Sequence, residues 1–76
     1  MNIKLPQLRP GQRGIVQEIQ GEGLTRRRML DLGMVPGTLV EVVRRSPLGD
    51  PVAYQIRGAV IALRKDEASY INVTTC

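Results

Sequence analysis

Histidine, tryptophan and phenylalanine are all missing from the 76 residues; tyrosine occurs twice and cysteine once. Without histidine the chain lacks the commonest general base and the commonest metal ligand. A Cys–His or Ser–His nucleophile pair cannot form within it, and zinc sites of the usual Cys/His kind are excluded. The lone cysteine is Cys76, so no internal disulfide can staple the fold. No apolar run approaches the roughly 18 residues of a bilayer-crossing helix. The start, Met1-Asn2-Ile3-Lys4-Leu5-Pro6, lacks the apolar stretch of a signal peptide, so the cytosol is the expected compartment. The carboxylates Glu18, Glu22, Asp31, Glu41, Asp50, Asp66 and Glu67 are spread along the chain, and no dedicated cation site or other cofactor is expected. These absences argue against an enzyme.

What remains is enough for a small globular fold. Residues 1–76 read as one domain. A chain of this length buries only about 60% of its unfolded surface, so it holds one small core. The apolar share of 42% is too high for disorder, and Val, Ile, Leu and Met must fill that core. The net charge of +4 comes from nine Arg and two Lys against seven acids. Such a balance suits an acidic partner, a phosphate-rich surface or an anionic membrane face.

Along the chain, Leu8-Arg9-Pro10-Gly11 signals a turn after a short extended segment. Ile15, Gln17 and Ile19 then alternate as a strand over Arg13 to Ile19, with Val16 breaking the alternation as a bulge would. Gly21-Glu22-Gly23 precedes a helix expected over about 23–32. Backbone amides there could hold an anion, but the dinucleotide and P-loop patterns are missing, and a strand-to-helix turn is the simpler reading. On a helical wheel Leu24, Met29 and Leu32 share the core side, Arg28 lies along its edge, and Leu30 falls opposite beside Arg26 and Arg27. Asp31 can pair with Arg27. Gly33 stands where a helix takes a left-handed cap, and Pro36-Gly37 turns the chain into a strand over Thr38 to Arg45. A loop follows over Ser46 to Pro51, then a strand with Val52, Tyr54 and Ile56 in alternation, Tyr54 half buried. Arg57-Gly58 reads as a hairpin turn, and Ala59 to Leu63 as the returning strand. One helical turn is expected at about 65–69, its acids Asp66 and Glu67 solvated, and a last strand over Tyr70 to Thr74. About five short strands with one inserted helix imply a mainly β fold, a small, partly open SH3-like barrel.

Two surface features stand out. Arg26 and Arg27 flank Leu30, and arginine beside an exposed leucine suits a protein contact. On this reading Leu30→Glu leaves the fold intact, whereas Leu32→Asp unfolds it. The loop Pro47-Leu48-Gly49-Asp50 carries Leu48 as an apolar tip, and loops often carry binding. Nucleic-acid binding by a small barrel usually also needs exposed aromatic rings, and only Tyr54 and Tyr70 are available.

The ordered set of motifs resembles the FeoA family. It comprises Leu5-Pro-Gln-Leu-Arg-Pro-Gly-Gln-Arg-Gly14, the helix Arg26 to Gly33 running into Met34-Val35-Pro36-Gly37, the loop Pro47-Leu48-Gly49-Asp50-Pro51, and Ile61-Ala62-Leu63-Arg64-Lys65 before Glu67-Ala68. The resemblance implies an SH3-like fold and an accessory role in bacterial Fe(II) import. The implied partner is a polytopic ferrous iron transporter with a cytosolic GTP-binding domain. Localisation at the inner face of the membrane would then come through that partner, with no stable nucleic acid and at most weak self-association. The family brings no catalytic residue to carry over. Two alternatives stay open: a small barrel binding nucleic acid, with affinity steeply dependent on salt, and an iron-responsive module stabilised by Fe(II).

Overall fold

The computed structural model describes residues 1–76. Its elements are β1 (Asn2–Lys4), a 3₁₀ turn (Leu5–Gln7), β2 (Arg13–Ile19), α1 (Gly23–Asp31), β3 (Leu39–Arg45), β4 (Val52–Ile56), β5 (Ala59–Leu63), α2 (Lys65–Ala68) and β6 (Ile71–Thr75). The strands form one antiparallel sheet in the order β1-β6-β2-β3-β4-β5. Every strand from β2 to β6 sends side chains into a single cluster of 15 buried residues. The sheet therefore curls around a common core, and because β1 and β5 remain its two margins it stays open. This is the partly open, mainly β architecture expected.

The strand count differs by one. Asn2–Lys4 is a sixth strand, paired with β6 through Asn2–Thr74, Ile3–Val73 and Lys4–Asn72. Three residues are too few to show an alternation, and the partner lies at the far end of the sequence. Local pattern therefore had nothing to register.

Within the sheet the alternation of side chains explains the core. Val40 and Val42 of β3, and Val52, Tyr54 and Ile56 of β4, point inward. Tyr54 is not half buried; it is 1% exposed, among the largest side chains of the core. The break at Val16 has a cause: the β2–β6 register shifts between Val16 and Glu18. The extra residue lets Val16 and Ile19, three apart, both face the core. A second bulge lies between Val42 and Arg44 on the β3–β4 ladder.

Helix α1 ends by a backbone device. Gly33 has φ +99°. Its N–H donates to the Leu30 carbonyl at 3.0 Å, and the Met34 N–H donates to the Met29 carbonyl at 3.1 Å. This paired arrangement of a left-handed residue and two back-reaching bonds satisfies the last helical carbonyls. It also drives Met29 and Met34, both fully buried, into the core together. Pro36 and Gly37 then form the centre of a turn closed by the Thr38 N–H on the Val35 carbonyl at 3.0 Å, with Gly37 at φ +90°.

The observed face of α1 differs in part from the helical wheel. Leu24, expected on the core side, is 86% exposed. Leu30, expected outside, is half-buried and packs on the core beside Leu32. The burial of α1 is concentrated in its last turn, at Met29 and Leu30; in the first turn Thr25 is half-buried and Leu24 stands out into solvent. A wheel averages over the whole helix and cannot show that one end packs less than the other. Leu30→Glu is therefore a core substitution, not a silent surface change.

Candidate docking surface

The short helix α2 is the joint of this region. Its N-terminal amides are held from two sides. The Lys65 N–H donates to Asp50 Oδ1 at 2.8 Å, and the Arg64 N–H donates to Glu67 Oε1 at 3.1 Å. The other Glu67 oxygen pairs with the Arg28 guanidinium of α1, the sole ion pair in the chain. The expected Arg27–Asp31 pair does not form. Glu67 is likewise no solvated acid: it is half-buried and serves both a cap and an ion pair.

Through these contacts α2 connects the two stretches that sequence reasoning singled out separately. On one side lies α1, with Arg26 and Arg27 exposed and Leu24 projecting from its first turn. Arg28 is more exposed than a stem packed on the core would be, with 56% of its side chain open to solvent. On the other side lies the loop, with Pro47 and Gly49 exposed and Leu48 94% exposed. The Gly49 N–H donates to the Ser46 carbonyl at 2.8 Å, closing a turn that presents Leu48 at its tip. Asp50, although at the surface, is committed inward to the Lys65 amide.

Between α1 and α2 runs a groove of about 280 Å³ lined by Leu24, Thr25, Arg28, Met29 and Tyr70, among others. Tyr70 is 40% exposed. Leu24 is the surface residue that sequence reasoning missed, since the wheel places it in the core; the sequence marks Tyr70 only as a ring available to nucleic acid. The available signal was position: Leu24 sits in the first helical turn directly after Gly23, too far along the helix axis from Met29 to share its burial.

Beneath the loop lies a smaller cavity of about 140 Å³ bordered by Pro6, Arg45, Gly49, Val52, Tyr54 and Lys65. Burial pushes the Tyr54 phenol up to about 12; Arg45 opposes the shift and Asp50 adds to it. The phenol is therefore neutral at physiological pH. The Arg45 guanidinium donates to the Leu8 carbonyl at 3.1 Å, tying β3 to the N-terminal turn. A broader, open concavity of about 600 Å³ lies on the outer sheet face against Pro36, Leu39, Glu41, Gln55 and Arg57.

None of these hollows gathers reactive groups. No three of the Asp, Glu and Cys side chains converge as a metal site would need. No helix is long and apolar enough to cross a membrane. Leu24 and Leu48 leave apolar side chains open to solvent, Leu24 beside the exposed Arg26 and Arg27.

Comparison with known proteins agrees with the motifs. The family model described as FeoA domain matches residues 3–75. The Fe(2+) transport protein A/Fe(2+) transporter FeoB fusion protein of Porphyromonas gingivalis is 35% identical over 71 residues; the match covers 93% of this chain and 8% of that protein's length. A crystal structure of an iron uptake regulatory protein, FeoA, superposes with TM-score 0.91 at 29% identity over 100% of both chains. The FeoA of Stenotrophomonas maltophilia, a prokaryotic SH3 domain protein crystallised with zinc, gives TM-score 0.84 at 29% identity, covering 93% of this chain and 88% of that one. The curled six-stranded sheet is thus SH3-like. With the motifs, the fold and the match over residues 3–75 in agreement, the chain belongs to the FeoA family.

Proposed function

We propose that this chain is an accessory protein of ferrous iron uptake, acting without catalysis of its own. It docks on the cytosolic part of an Fe(II) transporter that carries a GTP-binding domain, and reaches the inner face of the membrane through that partner. The observation that carries this reading is the Porphyromonas gingivalis relative, in which an iron transport protein A part and a FeoB transporter part share one polypeptide. Fusion keeps two modules at high effective concentration, which benefits modules that work in contact. The docking surface in this proposal is the face joined by α2. Leu24, Arg26 and Arg27 of α1 lie to one side, and Pro47, Leu48 and Gly49 of the loop to the other. Leu24 takes the place that the sequence assigned to Leu30.

The test is Fe(II) uptake in cells of the source organism lacking only this gene, with transporter abundance matched to wild type. Uptake falls in the deletion strain and returns with the intact chain. The folded variants Leu24→Glu and Leu48→Glu restore it less well at equal abundance. Unchanged uptake on deletion overturns the transport role. Full rescue by both variants moves the docking surface elsewhere.

A further inference from the structure

Strand β5 is a free margin of the sheet, with β4 as its only neighbour. The connecting turn has positive φ at both central residues, Arg57 at 50° and Gly58 at 81°. This is the tight hairpin whose closing residues, Ile56 and Ala59, exchange both backbone hydrogen bonds. Bonding then alternates along the ladder to Tyr54–Ile61 and Val52–Leu63. The N–H and C=O groups of Val60 and Ala62 consequently point away from β4 and off the sheet. No turn, loop or cap hydrogen bond engages them.

Sheet margins are usually blunted by charge, proline, bulges or shortness. The opposite margin follows that rule: β1 is three residues long, ends in Lys4 and is followed by Pro6. The β5 margin does not. Ala59-Val60-Ile61-Ala62-Leu63 contains no charge and no proline, and its register with β4 is unbroken. Ala59 and Ala62 are exposed, and Val60 is 60% exposed.

The charges at its two ends choose among possible occupants. Arg57 precedes the strand and Arg64-Lys65 follows it, and none of the three forms an ion pair. An antiparallel second copy overlapping the whole strand would be centred on Ile61. The cations just beyond the strand, Arg57 in the turn at one end and Arg64-Lys65 at the other, would then be brought beside those of the partner copy, and the two-fold axis would repeat that repulsion. Like charges juxtaposed across an interface disfavour that pairing. An acidic-ended segment meets the same three cations favourably, although Asp50 and Asp66 border the Arg64-Lys65 end and offset part of its charge.

We propose that the β5 margin accepts an extended segment of another protein as a seventh strand, apolar or β-branched along its middle and acidic at both ends. Backbone bonds to Val60 and Ala62 would supply affinity, and the flanking cations would supply selectivity. The inference stands on the sheet margin alone and does not depend on the transporter being the partner.

The probe is a capped peptide, Glu-Glu-Val-Thr-Val-Thr-Val-Glu-Glu, with a version bearing Lys in place of every Glu as control. Amide hydrogen exchange of the unmodified protein is the primary readout. With the acidic peptide at about 1 mM, exchange at Val60 and Ala62 slows on the order of tenfold, a sign of newly made backbone bonds. The lysine peptide gives no such protection. Ala62→Pro removes one outward N–H at a margin position where proline is tolerated, and abolishes protection at Val60. Val60→Lys, which keeps the backbone intact, weakens binding of the acidic peptide on the order of tenfold or more. The proposal is overturned if the acidic peptide leaves both amides unprotected, or if both peptides protect them equally. It is also overturned if sedimentation shows a dimer in which Val60 and Ala62 are protected without peptide, since a second copy would then fill the margin.

Discussion

The Glu67 carboxylate holds Arg28 with one oxygen and the Arg64 N–H with the other, so a single side chain both caps α2 and fastens it to α1. The two roles differ in energy. The Arg28 side chain is 56% exposed, and ion pairs at such exposure contribute about 0.2–1 kcal/mol after solvent screening. The cap bonds an exposed amide that water would otherwise solvate, and losing such a cap costs about 1 kcal/mol.

Arg28→Ala should therefore cost less stability than Glu67→Ala. Urea unfolding of the two variants decides the point, with the difference between them expected at about 1 kcal/mol. Equal losses would mean that the cap contributes nothing and that the ion pair alone fastens α2.

The leucines of α1 should separate cleanly. Leu24 is 86% exposed, so Leu24→Glu should change stability by no more than about 0.5 kcal/mol. Leu30 packs on the core, and Leu30→Glu should lower stability by about 1–3 kcal/mol. Thermal unfolding by circular dichroism reports both. A Leu30→Glu protein as stable as wild type would return Leu30 to the surface and reopen it as a contact residue.

Which of these features the sequence displays depends on how local their cause is. Strands β2 to β6 are legible because their apolar alternation is short-range and strong, as in Val52, Tyr54 and Ile56. The bulge at Val16 is legible for the same reason, since it breaks a pattern that is otherwise clear. Strand β1 is not, because its pairing with β6 joins residues some seventy positions apart, Asn2 with Thr74. The orientation of α1 fails for a related cause. Nine residues with leucines at 24 and 30 and methionine at 29 allow two wheels, and packing of the last turn alone selects between them. Glu67 shows the limit most plainly. Its sequence neighbours suggest a solvated helix start, while its partner Arg28 arrives from another element.

Gly33 is a backbone position whose substitution should be felt. A Cβ there would meet Ile56 Cγ2 at 3.5 Å, an ordinary contact, so space is not the obstacle. Conformation is: φ of +99° is disfavoured for any residue with a Cβ. Gly33→Ala should cost about 1–2 kcal/mol and loosen the joint entry of Met29 and Met34 into the core. Hydrogen exchange at the Met34 amide, which closes the cap, should quicken in that variant. Unchanged exchange and unchanged stability would show that the helix end tolerates another termination.

Tyr54 makes alkaline stability a test of core burial. Its phenol is raised from 10.0 to about 12, by burial first. Below pH 10 the hydroxyl is protonated in both the folded and the unfolded chain, and its contribution to stability is fully present. Between pH 10 and 12 the unfolded chain ionises while the folded one does not. The unfolded state then binds fewer protons, and stability must fall as pH rises, by about 1.4 kcal/mol per unit. Above pH 12 the folded phenol ionises too and the fall levels off. Urea titrations at pH 9, 10, 11 and 12 on the wild type and Tyr54→Phe isolate the effect, because other groups titrating in this range are common to both proteins. The difference in slope between the two belongs to Tyr54. Its ionisation is also visible directly, as the part of the phenolate absorbance that the wild type shows near pH 12 and that Tyr54→Phe, which keeps Tyr70, does not. Parallel slopes in the two proteins would mean that water reaches the Tyr54 hydroxyl freely, and that the cavity beneath the 46–51 loop opens in solution.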